Sequence, residues 1–96
     1  MALTLERHTG GTPTNATVTN VSTLIVPAKA SRDYCLIQND SDATIYLALN
    51  ADAEISKGIR LNAGGGSYEI NFTNLFTGDI YAITGSGSKN VCIQES

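Results

Sequence analysis

Residues 32–49 read Arg-Asp-Tyr-Cys-Leu-Ile-Gln-Asn-Asp-Ser-Asp-Ala-Thr-Ile-Tyr-Leu-Ala-Leu. The stretch predicts two β-strands, 34–39 and 44–49, joined as a hairpin by a polar turn. The strands are built of aromatic, aliphatic and β-branched residues, which fit a pleated, half-buried surface. Between them Asn39-Asp40-Ser41-Asp42 supplies side chains that bond their own backbone and let the chain reverse. Alternation sends Ile45, Leu47 and Leu49 to one face and Tyr46 and Ala48 to the other. In the first strand Tyr34 and Leu36 oppose Cys35 and Ile37. Both faces are largely apolar, as expected of strands covered on both sides.

Working outward, residues 58–61 read as a short strand ended by the glycines at 64–66, which serve as a turn. Residues 67–72 alternate, with Tyr68, Ile70 and Phe72 expected inside and Glu69 and Asn71 outside. Leu75 and Phe76 are expected to plug one end of the core. Residues 79–84 and 89–95 read as a second hairpin around a Gly/Ser loop. On the N-terminal side, residues 17–26 form a strand whose mixed parity signals an edge or a bend, ended by Pro27. The tally is about seven short strands with turn signals between them. It predicts an all-β fold: a small antiparallel β-sandwich or jelly-roll-like barrel over residues 17–96. Its deeply buried residues are expected to include Leu36, Ile45, Leu47, Ile70, Ile83 and Ile93.

Residues 1–16 read as an extended N-terminal arm, with Gly10-Gly11, Pro13 and little periodicity. Leu3, Leu5 and Arg7 alternate there. The pattern suits strand addition to a neighbour's sheet edge, so the arm is expected to be ordered by a partner. His8, in the same arm, has no nucleophile or metal partner in the pattern and is given no role.

Composition narrows the function. One domain of 96 residues buries roughly 60–65% of its unfolded surface. Only 16% of residues are charged, so Thr, Ser, Asn and Gly must cover the surface. The net charge of −3 provides no basic excess for a nucleic-acid partner. No apolar run approaches the roughly 20 residues that span a bilayer, and the first residues do not form a secretory signal. Synthesis in a cytoplasm is the expectation. Cys35 and Cys92, the two cysteines, are read as small buried hydrophobes with free thiols; a cross-strand disulfide is the alternative. Asp40, Asp42, Asp52 and Glu54 are the acidic candidates for acid–base or Ca²⁺ chemistry, and their spacing matches no Ca²⁺ loop. No catalytic, cofactor-binding or metal residue is assigned, and a non-enzymatic protein is expected.

The order Arg32, Leu36-Ile37-Gln38-Asn39, Ser41, Ile45-Tyr46-Leu47 is similar to a recurrent pattern in small tailed-bacteriophage structural proteins. It continues through Gly58-Ile59-Arg60-Leu61, Gly64-Gly65-Gly66, Ile80-Tyr81-Ala82-Ile83 and Val91-Cys92-Ile93-Gln94-Glu95. The resemblance covers about residues 31–95. It implies a β-sandwich of the capsid decoration, cement or head-fibre type, located in the virion and bound to the major capsid protein lattice or another virion protein. It implies a homo-oligomer, by analogy a trimer. It transfers no site residues, because the matching positions look like core and turn. A second expectation is a carbohydrate- or host-surface-binding module of a fibre or tail. Tyr34 and Tyr68 are expected inside, which leaves Tyr46 and Tyr81 for such a role.

Overall fold

A computed structural model describes residues 10–96; Leu3, Leu5, Arg7 and His8 lie outside the described residues. The described chain is all-β, an antiparallel β-sandwich of eight strands: β1 (Thr14–Val18), β2 (Thr23–Val26), β3 (Cys35–Asn39), β4 (Ile45–Leu49), β5 (Ile59–Leu61), β6 (Ser67–Ile70), β7 (Ile80–Thr84) and β8 (Lys89–Glu95). One sheet has the order β1-β8-β3-β6, the other β2-β7-β4-β5. Every pairing is antiparallel.

The pairing follows a simple rule. β1 meets β8, β2 meets β7, β3 meets β6 and β4 meets β5, so the chain forms one long ribbon with its tip at β4–β5. The ribbon is rolled until β3 also lies beside β8 and β4 beside β7. This is the jelly-roll connectivity of a two-sheet sandwich. Rolling buries one face of each sheet against the other, which lets a short chain build a closed core. Val18, Ile37, Ile45, Leu47, Leu61, Ile70, Ile80 and Val91 fill it.

Neither expected hairpin forms. β3 and β4 lie in different sheets, as do β7 and β8, so both connections are arches that step between layers. Chain-adjacent apolar strands satisfy hairpin and arch patterns equally well; the ladders with β6, β8, β5 and β7 decide the matter. The stretch 17–26 likewise divides between sheets, bending at residues 19–22. β1 begins at Thr14, inside the stretch read as an arm, because Thr14, Asn15 and Ala16 pair with Ile93, Cys92 and Val91.

The core register of β3 is Cys35, Ile37 and Asn39, and Leu36 is half-buried on the outer side. The sequence reading covered both faces of this strand and put Leu36 deep in the core, whereas the structure fully buries only the Cys35, Ile37 and Asn39 face. Ile45, Leu47, Ile70 and Ile93 are buried in the core as expected, and Ile83 is buried on the outer side of its strand. Phe72 is not inside: β6 stops at Ile70, and a turn carries Phe72 outward. Phe76 packs against the core, whereas Leu75 is exposed. Tyr34 and Tyr68 are half-buried.

Two buried polar side chains flank β3 and close the two ends of the sandwich. At one end Arg32 is only 1% exposed. Its Nε donates to Glu95 Oε2 at 2.6 Å, its Nη1 to the carbonyls of Phe76 (2.9 Å) and Gly78 (3.0 Å), and its Nη2 to the carbonyl of Pro27 (2.7 Å). A Cβ at Gly78 would push aside the Asn50 side chain, whose Oδ1 accepts from the Asp79 N–H at 2.8 Å. At the other end Asn39 is fully buried. Its Nδ2 donates to the carbonyls of Ala43, Leu61 and Asn62, and its Oδ1 accepts from Ser41 Oγ at 2.6 Å. Its backbone pairs with Gly65 and Gly66 of the glycine turn, where Gly65 takes φ 116°, a conformation open to glycine.

Two stability predictions follow from this register. Leu47→Ala should cost about 2–5 kcal/mol, since the side chain is fully buried, and Leu36→Ala distinctly less. Urea unfolding of the pair checks this; equal losses would mean that the β3 register is wrong. Arg32→Ala should cost about 3–5 kcal/mol, because it removes one partner of a buried pair, and Arg32→Lys, which keeps the charge but brings three donors to four acceptors, should cost less. A midpoint within error of the parent would show that the guanidinium does not hold this end together.

Candidate functional site

The acidic candidates do not converge. Asp40 and Asp42 lie in the β3–β4 arch, while Asp52 and Glu54 lie in the long connection between β4 and β5, which starts from the opposite end. Asp42 accepts from Lys89 Nζ at 2.6 Å, and Asp40 accepts from Asn90 Nδ2 at 3.3 Å. The Lys89 hydrogen bond and charge hold the exposed Asp42 carboxyl below its usual range. Among the described residues no group of three His, Cys, Asp or Glu is placed to hold a metal ion.

The cysteines differ from each other. Cys35 is fully buried, and Cys92 is exposed, contrary to the reading that put both inside. Both are free thiols. Cys35 stands opposite Glu95 in the β3–β8 ladder, three residues along from Cys92, so the two sulfurs lie on opposite faces of one sheet. Burial, and then the Glu95 carboxylate, push the Cys35 thiol up to about 11, against an opposing pull from Arg32.

The outer faces of the two sheets are chemically unlike. On β1-β8-β3-β6 the outer positions are Asn15, Thr17, Asn90, Cys92, Gln94, Leu36, Gln38, Ser67 and Glu69 by register. Amides dominate, and several are tied down internally, as in Asn15 to Asn90 and Gln94 to Gly11. On β2-β7-β4-β5 the outer positions are Leu24, Tyr81, Ile83, Tyr46, Ala48 and Arg60. Both tyrosines left for a binding role therefore share one face, on adjacent strands. The β4–β5 connection, residues 50–58, lies over part of that face. Its Ala53 N–H donates to Ser22 Oγ at 2.8 Å. Ser22 shares the outward parity of Leu24 at the far edge, so the connection must cross β7 to reach it. Ala53 is buried there at 4% exposure.

Five large apolar side chains stand in the open among the described residues: Val21, Leu24, Ile55, Phe72 and Leu75. The first three lie within two residues of the Ser22–Ala53 contact. The other two belong to the β6–β7 connection. There Asn71 and Asn74 build a compact turn. Asn74 N–H donates to the Asn71 carbonyl (3.1 Å), Asn71 N–H to Asn74 Oδ1 (2.8 Å), and Thr73 N–H to Asn71 Oδ1 (2.9 Å). Two further bonds fasten the turn to β6: Asn71 Nδ2 to Glu69 Oε1 (3.1 Å) and Asn74 Nδ2 to the Glu69 carbonyl (2.9 Å). Glu69 in turn accepts from the Tyr34 hydroxyl at 2.9 Å, and this bond, with burial next, raises the Tyr34 pKa. Phe72, at the tip, is 73% exposed. Strand alternation alone misplaces it. The signal that finds it is the pair of asparagines flanking Phe72-Thr73, since Asx side chains favour turns over ladders.

The fold and its surfaces define a β-sandwich with exposed apolar groups and no assembled reactive cluster among the described residues. No protein-family model matches the chain, and no curated protein or solved structure matches it.

Because the folded state holds the Cys35 proton more tightly than the unfolded chain does, stability should fall as pH rises from about 9 to about 11. The sign follows from proton binding: in that window the unfolded chain binds fewer protons. Cys35→Ala should remove this component, worth on the order of 2 kcal/mol at the upper end. Unfolding curves of the two proteins across that window check it; parallel pH profiles would show that Cys35 titrates normally.

Proposed function

We propose that this chain is a non-enzymatic structural protein of a tailed-bacteriophage virion, most simply a decoration or cement protein on the outside of the head. The observation that carries the reading is the set of five exposed apolar side chains on a small domain whose two ends are otherwise closed by satisfied polar groups. A domain of this size has little apolar material to spare, and exposed clusters of it mark contact surfaces. The resemblance to phage structural proteins supports the same reading. Of the residues that carry it, Arg32, Asn39 and Ser41 help close the two ends of the sandwich here. Binding of the folded form to a repeated lattice would add stability by mass action. A homotrimer would also cover sheet edges at β1, β2, β5 or β6.

A carbohydrate- or host-surface-binding module is the second reading. It is favoured by one observation, that Tyr46 and Tyr81 share an outer face with Arg60. Electron microscopy of the parent particle separates the two. Copies on the head in numbers comparable to the shell subunit are expected; a few copies at a fibre tip would overturn decoration. A glycan array without binders would remove the second reading.

A further inference from the structure

We infer that the β6–β7 turn is the attachment point, with Phe72 as an anchor that enters an apolar pocket on a protein partner whose rim carries a Lys or Arg. The inference rests on the lattice-binding reading and names the residues that perform it. An exposed phenylalanine on a loose loop would be ordinary. Here the chain fixes the loop with the amide groups of two asparagines, the Thr73 backbone and the Glu69 carboxylate, and then displays the ring into water. Immobilising an anchor beforehand removes the entropy cost of ordering it on binding. Leu75, 53% exposed, extends the apolar surface on the same connection, while Phe76 holds the connection's far side to the core. Aromatic anchors that fill a desolvated pocket are the residues that dominate interface energies.

Charge selects the kind of partner. Residues 67–79 contain Glu69 and Asp79 and no Lys or Arg. Asp79 Oδ1 is occupied by the Ala28 N–H. The exposed Glu69 carboxylate accepts from Tyr34 and Asn71 and has lone pairs left for a cation. An anionic bilayer would be repelled, and a second copy docked turn to turn would bring Glu69 against Glu69. A protein pocket with a basic rim complements both the ring and the carboxylate.

The test uses the full chain and shells assembled from the major capsid protein of the parent particle, made without this chain. Phe72→Ala should leave the unfolding midpoint nearly unchanged, because the ring contributes little to the core, and should weaken co-sedimentation with the shells at least about thirtyfold. Asn71→Ala, which keeps the ring and releases the turn, should also weaken it. Leu24→Ser, on the other apolar group, should bind as the parent does. If the parent binds and Phe72→Ala binds equally well, the anchor is wrong and the lattice reading stands. If the parent fails to bind, both fall. Binding to neutral or anionic lipid vesicles that depends on Phe72 would replace the protein pocket by a membrane. Pre-organisation has its own readout: amide order parameters for residues 71–75 near about 0.85 are expected, and values below about 0.6 would overturn it whatever the shells do.

Discussion

The guanidinium of Arg32 reaches four acceptors at three places in the chain: the carbonyl of Pro27 after β2, those of Phe76 and Gly78 before β7, and the carboxylate of Glu95 on β8. Those places belong to both sheets. A rolled ribbon has no covalent reason to stay rolled at its open end, and there the strands diverge into connections whose carbonyls point inward. One planar, fully charged group with a fork of donors satisfies them together. Removing it would leave three part-buried carbonyls and a part-buried carboxylate without their donor together, so the cost of losing it exceeds the value of any one bond.

Asn39 does the neutral counterpart of this at the opposite end, seven residues along the chain. Between the two the core strand β3 carries Cys35 and Ile37 inward. The arrangement places a satisfied polar group at each mouth of an apolar interior, and no buried side-chain nitrogen or oxygen among the described residues lacks a partner. It also explains why the motif residues Arg32, Asn39 and Ser41 contribute to structure: all three are spent on backbone and turn groups. What is left for partners lies elsewhere.

Those remaining surfaces are uneven. One outer face is covered by amides that bond to one another and to nearby backbone. The other bears two tyrosines and is partly crossed by residues 50–58. The β6–β7 turn stands apart, because its hydrogen-bonded asparagines and its exposed ring serve no purpose in the core. A stiff frame makes such a display useful, since a contact that had to be ordered on binding would lose much of its gain.

How much of this was legible in the sequence depends on the range of the interactions. Alternation of apolar residues identified the strands around Ile45, Leu47, Ile70 and Ile93, and Gly or Asx clusters located the turns, because both signals act within a few residues. The all-β class follows from them. The pairing of strands does not. Residues 32–49 fit a hairpin and an arch alike, and only the ladders of β3 with β6 and β8, and of β4 with β5 and β7, choose between them. The parity of β3 was hidden for the same reason: with Leu36 and Ile37 both apolar, the facing sheet decides which is buried. Phe72 was misread because period-two reasoning continues a strand until a breaker appears, whereas here the asparagine side chains end it through bonds visible only in three dimensions. Nothing local to Arg32 signals that it is buried. Its burial depends on four acceptors that converge only when strands from both sheets have closed around it.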